Sequence, residues 1–396
     1  MPIGVNTLEF LFDSAEEGFR REVVEFLEAE LPPGWFGILS PEEQYESDEN
    51  WTLTKRMARK LGRKGWLSLA WPKEYGGLER PLIYQAILTE ELFYRGSPGF
   101  DIFGVGMLAP ILISHGTDEQ RRKHLEPIAK GEIFWCEGFS ETEAGSDLAS
   151  LQTRARREGD KYIIDGQKTW NTGAHRADWC FFLARTDPQA PKHQGISFFV
   201  VDMKTPGITV RPLVNMLGAE CFSEIFFDNV VIPSTNLVGE ENQGWRVATS
   251  LLTHERSGID RIAISRHALD KLVSCVREAK VRNVLARQRL AEMAIEIEIG
   301  RLLAYRVAWL QSKGASADWE GSLSKLYGSE LMRRVALTAL QIFGLPGNIK
   351  GDSKWAIFGG RMLLWYYDTL GRTISGGSSE IQRNIIAMRG LGLPRG

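Results

Sequence analysis

The chain changes its hydrophobic period twice. Up to about residue 130, apolar positions recur three and four apart, the spacing of one helical face. SAEEGFRREVVEFLEAEL (14–31) predicts a helix with Ser14 as N-cap and Glu17 three residues on, a capping box, ending at Pro32-Pro33. YQAILTEELFYRG and TDEQRRKHLEPIAKG predict two more, the second capped by Thr117 with Glu119 and Gln120 in its first turn. From about 131 to 240 the period shortens. WCFFLART, GISFFVVDM, GITVRPL and SEIFFDNVVIP are aromatic and β-branched, with glycine and proline between them, which predicts an antiparallel sheet or barrel. Asp165-Gly166, in DKYIIDGQKTW, predicts a hairpin turn. From about 241 helical periodicity returns, and LAEMAIEIEIGRLLAYRVAWL runs without a breaker except Gly300. Strands do not alternate with helices as a parallel sheet would require, and no long repeat is present. The pattern predicts an α+β chain of three domains: helical over 1–130, β over 131–240, and a helix bundle over 241–396.

One segment disturbs this pattern. LLTHERSGIDRIAI (251–264) reads as a helix whose apolar face carries Leu251, Leu252, Ile259, Ile262 and Ala263. Glu255 lies on that face, four residues from Leu251 and four from Ile259. Arg256 and Asp260, just off it, are placed to pair at i,i+4. A carboxylate on an apolar stripe asks for a chemical reason.

Composition narrows the choice. The chain has 396 residues, 43% hydrophobic and 25% charged, with a net charge of −2, which gives no basic footprint for nucleic acid. Cys136, Cys180, Cys221 and Cys275 are scattered, and so are the histidines, so neither a disulfide framework nor a metal site is expected. No apolar run approaches the ~18 residues of a membrane span. The N-terminus lacks a signal-peptide pattern and the C-terminus, GLGLPRG, lacks a targeting signal, so a cytoplasmic location is expected.

Three blocks carry groups suited to a ligand. FWCEGFSETEAGSDLASLQTRA (134–155) offers the hydroxyls of Ser140, Thr142, Ser146 and Thr153, with Gly145 open to close approach. KTWNTGAHRADW (168–179) sets Trp170 and Thr172 on alternate positions of a strand, where an indole can lie flat on an aromatic cofactor beside a hydroxyl. RTISGGSSEIQRNIIAMRGLGLPR (372–395) has a Gly376-Gly377 turn, then Ser378 or Ser379 capping a helix that begins near Glu380 and offers free N–H groups. Singly, each also reads as a polar loop, a core tryptophan or an ordinary helix start.

Together, and in this order, the blocks resemble the acyl-CoA dehydrogenase family. The family's T-E-P-x-A-G-S-D stands here as Ser140-Glu141-Thr142-Glu143-Ala144-Gly145-Ser146-Asp147. Lys168-x-Trp170-x-Thr172, Gln341-Ile342-Phe343-Gly344, the closing Ser379–Arg383 (SEIQR) and PKEYGG at 72–77 match as well. The resemblance implies the family's fold, an N-terminal helical domain, a middle antiparallel β-barrel domain and a C-terminal helix bundle. It implies FAD as cofactor, an acyl-CoA substrate taken to its trans-2-enoyl-CoA, and an electron-transferring flavoprotein as electron acceptor. By the same resemblance Ser140 and Thr172 bond the flavin ring and Trp170 lies against it. Ser146 stands near the pyrophosphate and pantetheine, and Gln341, Gly344, Ser378 and Glu380 grip the rest of FAD.

Many members carry the base in Y-E-G-T-S-E-I-Q, where this chain has Gly376, which cannot take a proton. A second branch, similar to the isovaleryl-CoA and long-chain enzymes, carries it in L-x-x-E-R, here Leu252-Thr253-His254-Glu255-Arg256. The resemblance therefore implies Glu255 as base, Arg256 as a residue steadying the pocket, and the Gly376 N–H as a donor to the thioester oxygen. Small residues at Ser375, Gly376 and Gly377 favour a bulky or branched acyl group. The family's R-x-x-F-G is missing from SCVREAKVRNVLARQRLAEM. A homotetramer is the default, and a heterotetramer with a complementary partner chain is the alternative. A partner subunit without catalysis, or an oxygen-using flavin oxidase or monooxygenase, would share the same fold.

Overall fold

The computed structural model describes residues 12–250, 257–281, 283–351 and 353–394. Among the described residues five α-helices come first: α1 (Ser14–Glu30), α2 (Asp48–Arg63), α3 (Leu82–Tyr94), α4 (Ala109–His115) and α5 (Asp118–Ala129). The cap of α1 is Asp13, not Ser14. The Asp13 carboxylate accepts the N–H groups of Ala15 and Glu16, and Glu16 accepts the Asp13 N–H in return. A carboxylate at a helix N-terminus is a stronger acceptor than a hydroxyl, so the capping box starts one residue earlier. Thr117 caps α5 as expected, and the Gln120 amide closes the box while donating to the carbonyls of Thr235 and Leu237, both at 2.7 Å. That contact seats α5 on the edge of the sheet.

The strands follow: β1 (Trp135–Gly138), β2 (Arg154–Glu158), β3 (Lys161–Lys168), β4 (Trp179–Arg185), β5 (Ile196–Asp202), β6 (Ile208–Leu213), β7 (Phe222–Pro233) and β8 (Leu237–Val238). Their order is β6-β7-β3-β2-β4-β5-β8, with β1 pairing β4 in parallel. Two expectations are corrected here. The sheet is not closed into a barrel: β6 and β8 stand at opposite edges among the described residues. It is also not purely antiparallel, because β1 and β2 both meet β4 in parallel. A barrel wall hides one apolar face inside, whereas β4 and β5 are buried on both. Phe181, Leu183, Phe198 and Val200 pack into the helical core, and Phe182, Phe199 and Val201 join Tyr162, Ile164 and Phe227 in a second core. The sheet is thus a partition between two apolar layers.

Asp165-Gly166 does not turn the chain. The β2–β3 hairpin closes over Gly159 and Asp160, with Gly159 left-handed, while Asp165-Gly166 forms a bulge where β3 shifts register against β7. A Cβ at Gly166 would stand 2.6 Å from the Thr153 hydroxyl, so the glycine serves close approach instead.

Among the described residues six α-helices follow: α6 (Gly244–Ser250), α7 (Ile259–Glu278), α8 (Val284–Ser312), α9 (Asp318–Phe343), α10 (Arg361–Arg372) and α11 (Ser379–Ile385). The single helix expected over 251–264 is interrupted. Gly258 is left-handed (φ +71°) and α7 starts only after it. Ile259, Ile262 and Ala263 are buried as expected, whereas Leu251, Leu252, Glu255 and Arg256 lie outside the described residues. Gly300 is a packing device: a Cβ there would come 2.4 Å from Ile262, so α7 and α8 pack close only without it. No helix among the described residues is long and apolar enough to cross a membrane.

Candidate functional site

One group of candidate residues is built at the end of β3. Lys168 has no exposed surface, and its ammonium bonds Glu141 at 2.8 Å and the Phe139 carbonyl at 3.2 Å. Glu141 in turn accepts the N–H groups of Gln152 (2.6 Å) and Thr153 (2.9 Å). Burial would push the Glu141 carboxyl up, but the Lys168 charge and these hydrogen bonds hold it below its ordinary value. Burial pulls the Lys168 ammonium below its ordinary value, against the attraction of Glu141. The pair staples the 139–153 loop to β3. The Thr169 N–H then donates to the Ser140 carbonyl at 3.0 Å, and the Asn171 amide reaches the Glu137 carbonyl at 2.6 Å.

The strand stops at Lys168, so Trp170 and Thr172 do not alternate along it as expected. Asn171 exchanges backbone hydrogen bonds with Ser223 at 2.9 and 3.1 Å, and the intervening Trp170 is forced to φ +62°. Left-handed backbone is costly for a bulky side chain and is retained mainly where a function or a dense surround demands it. Trp170 is 61% exposed and touches Phe222 edge-on at 5.8 Å, which leaves its indole open to a flat ligand. Thr172 opens the next turn, fixed by the Gly173 N–H on the Cys221 carbonyl at 2.8 Å. The structure therefore sets Ser140 against Thr169, the residue before Trp170, and carries Trp170 and Thr172 on a loop and turn in place of a strand. Ser146 is exposed on the far part of the same loop, where its neighbour Asp147 pairs with Lys192.

A second group surrounds the glycine turn. Gly376 and Gly377 are both left-handed, at φ +62° and +88°. The buried Gln382 amide donates to both of their carbonyls at 3.2 Å, and Lys325 of α9 donates to the Gly377 carbonyl at 2.7 Å. Among the described residues nothing accepts from the Gly376 N–H. Ser378, the nearer of the two expected serines, caps α11 through its hydroxyl on the Ile381 N–H. Glu380 is exposed in the first turn of α11, where its own backbone N–H and the Ser378 hydroxyl hold its carboxyl below the ordinary value. The Ser379 hydroxyl is buried without a hydrogen-bond partner. It borders a cleft of about 420 Å³ shared with Thr373, Arg333, Arg334 and Arg383. Gln341 and Gly344 end α9, exposed, and no hydrogen bond among the described residues joins them to either group. Glu141, Lys325 and Gln382 were not expected as site-forming residues. For Lys325 and Gln382 the signal is a charged or amide side chain on a helix face with small buried neighbours; Glu141, in a loop among polar residues, has none.

Comparison with known proteins places the chain in a family. Residues 13–132, 136–230 and 242–391 match the N-terminal, middle and C-terminal domains of acyl-CoA dehydrogenases. The chain is 35% identical to the acyl-CoA dehydrogenase IpdE1 of Mycobacterium tuberculosis, over 91% of this chain and 92% of that one. It belongs to the acyl-CoA dehydrogenase family. Acyl-CoA dehydrogenases are flavoprotein oxidoreductases that act on acyl-CoA thioesters, and this chain is an enzyme of that class. Two solved structures extend the likeness over the whole acyl-CoA dehydrogenase fold. The Tcur3481-Tcur3483 steroid ACAD aligns with a TM-score of 0.88 at 32% identity, over 98% of this chain and 99% of that one. The ChsE4-ChsE5 complex from Mycobacterium tuberculosis aligns with a TM-score of 0.87 at 32% identity, over 98% and 100%.

Proposed function

We propose that this acyl-CoA dehydrogenase holds FAD and takes one hydrogen from each of the α and β carbons of an acyl-CoA thioester, giving the trans-2-enoyl-CoA, with Glu255 as the α-proton base. The observation that carries the reading is the Gly376 turn. Its N–H has no acceptor among the described residues, while the carbonyls around it are tied down by Gln382 and Lys325. A backbone donor fixed in this way suits a thioester oxygen that gains charge as the α-proton leaves. A glycine at 376 also removes the carboxylate that Y-E-G-T-S-E-I-Q would place there, which leaves the glutamate of L-x-x-E-R, Glu255. A base shielded from water has its carboxyl raised toward neutrality and accepts a carbon-bound proton more readily.

The groups present fit a flavin. Trp170 offers an exposed indole, and the buried Ser379 hydroxyl has no partner. On this reading Ser140 and Thr172 bond the ring edge and Trp170 lies on its face. Ser146 stands near the pyrophosphate, Gln341, Gly344, Ser378 and Glu380 grip the remainder, and Arg256 steadies the pocket. Bound FAD would supply, at N5, the acceptor for the hydride leaving the β-carbon, and an electron-transferring flavoprotein would collect the electrons. The division into three domains, 1–130, 131–240 and 241–396, is supported by the strands of the described residues, which fall between Trp135 and Val238.

For the acyl group, Ser375, Gly376 and Gly377 add no bulk beside the turn, and one structural relative is described as a steroid ACAD. A ring-bearing or branched acyl group is the substrate class proposed. Both structural relatives are named as pairs of chains, which favours a heterotetramer over a homotetramer. The test is anaerobic flavin bleaching by straight, branched, aromatic and steroid-side-chain CoA thioesters, with and without a partner chain. Glu255→Gln should keep flavin and ligand binding and lose about 10²-fold or more of the reduction rate. Near-normal reduction in that variant would remove Glu255 from the base role, and a protein that holds no flavin under any condition would remove the dehydrogenase reading.

A further inference from the structure

Ser324 and Lys325 are consecutive residues in the first third of α9, and both are buried. Consecutive helical side chains diverge by about 100°, so the two reach different flanks of the helix. The Ser324 hydroxyl donates to the Ser257 carbonyl at 2.5 Å. Ser257 is the first described residue after the segment that carries Glu255, and a Cβ on its neighbour Gly258 would stand 2.8 Å from the same hydroxyl. The Lys325 ammonium donates to the Gly377 carbonyl at 2.7 Å and to the Arg372 carbonyl at 3.3 Å, bracketing the turn that presents the Gly376 N–H. One turn of α9 thus holds the stem of the base segment on one side and the oxygen-binding turn on the other.

We propose that Lys325 is a positioning residue for the thioester oxygen and that its charge, as well as its hydrogen bonds, serves the reaction. The inference rests on the dehydrogenase reading above. Two left-handed glycines in succession have wide conformational freedom, and a tether on the carbonyls at both ends of the turn removes it. The Lys325 side chain, 4% exposed, also lies in a water-poor interior, where a unit charge acts over several ångströms. When the α-C–H bond breaks, its proton passes to the Glu255 carboxylate and its electron pair spreads onto the thioester oxygen. The Lys325 charge lowers the energy of that oxygen through space, without touching it, while its bonds to the Arg372 and Gly377 carbonyls keep the Gly376 N–H in place.

The test compares two ligands on the purified holoprotein by calorimetry. Acetoacetyl-CoA readily carries enolate charge on its thioester oxygen, and an alkyl-CoA thioether has no such oxygen. Lys325→Met should weaken acetoacetyl-CoA about tenfold or more, the scale of a lost interaction with a charged group, and leave the thioether within about twofold, with flavin content unchanged. Lys325→Arg should recover most of the loss. Should the Met variant not fold, Lys325→Gln keeps an N–H donor without the charge and carries the same comparison. Equal acetoacetyl-CoA binding in a folded uncharged variant, or an equal loss for both ligands, overturns the inference while the dehydrogenase reading stands. A wild-type holoprotein that binds neither ligand overturns that reading and this inference with it.

Discussion

Lys168 shows what a single buried charge contributes and how it reads in a sequence. It follows the β-branched run of β3 at a buried position, where alternation expects an apolar residue, and KTW flags the place without revealing the partner. Glu141 is 27 residues earlier, so only the folded loop brings the two within 2.8 Å. Lys168→Met should cost about 3 kcal/mol of unfolding free energy in urea melts, because it strands a buried carboxylate. A loss below about 0.5 kcal/mol would mean that the two backbone donors to Glu141 satisfy it alone. Asp101 is a second buried acid that no pattern singled out. It accepts the N–H groups of Phe103 and Trp135, yet burial raises its carboxyl to about 7. Unfolded, the same carboxyl titrates near ~4. The folded chain therefore keeps a proton that the unfolded chain releases. Stability from this group is complete below about pH 4 and is lost as pH rises through about 7, on the order of 3–4 kcal/mol in all. Asp101→Asn should remove that slope, so the variant gains on wild type between pH 5 and pH 8. An unchanged difference at the two pH values would place the Asp101 titration elsewhere.

At the scale of elements, period and capping made α1, α3, α5, α8 and α11 legible, and glycine was the residue that misled. Thr117 with Gln120 announced α5 correctly, because a capping box is a local device whose parts sit three residues apart. Asp165-Gly166 announced a turn that is a bulge, since the same residue pair relieves crowding against Thr153. The helix expected over 251–264 failed at Gly258 for a similar reason: apolar positions on both sides keep helical spacing while the backbone between them is left-handed. Gly258→Ala should therefore be costly twice over, through about 1–2 kcal/mol of left-handed strain and through the clash of its Cβ with the Ser324 hydroxyl. The expected result is a lower melting temperature together with a lower flavin reduction rate at saturating acyl-CoA, since Ser257 and Gly258 form the stem of the Glu255 segment. A variant that melts earlier but reduces its flavin normally would separate the stem from the chemistry.

For the whole molecule, the helical, strand-rich and helical order followed from period alone, while the openness of the sheet did not. A period of two marks strands but cannot say that both faces of β4 and β5 will be covered, and coverage on both faces is what makes the sheet a partition and not a barrel. The same ambiguity applies to α8, whose pattern is apolar nearly all round. One side packs on α7 and α9 through Met293, Ile297, Ala304 and Ala308. The opposite side presents Ile295, Ile299, Leu302 and Trp309 to solvent, spaced four, three and seven residues apart. That is the seam of a helix meant to pack against another helix, and soluble monomers rarely leave such a contiguous apolar strip uncovered. Light scattering behind gel filtration should therefore give a mass at least twice the 44.6 kDa of one chain, for the chain alone or with a partner. Ile299→Glu with Leu302→Glu should move it toward a single chain, because two carboxylates on the seam would have to be desolvated for association. A wild-type mass of one chain under every condition would show that the seam is not an interface, and an unshifted mass in the double variant would place the interface elsewhere.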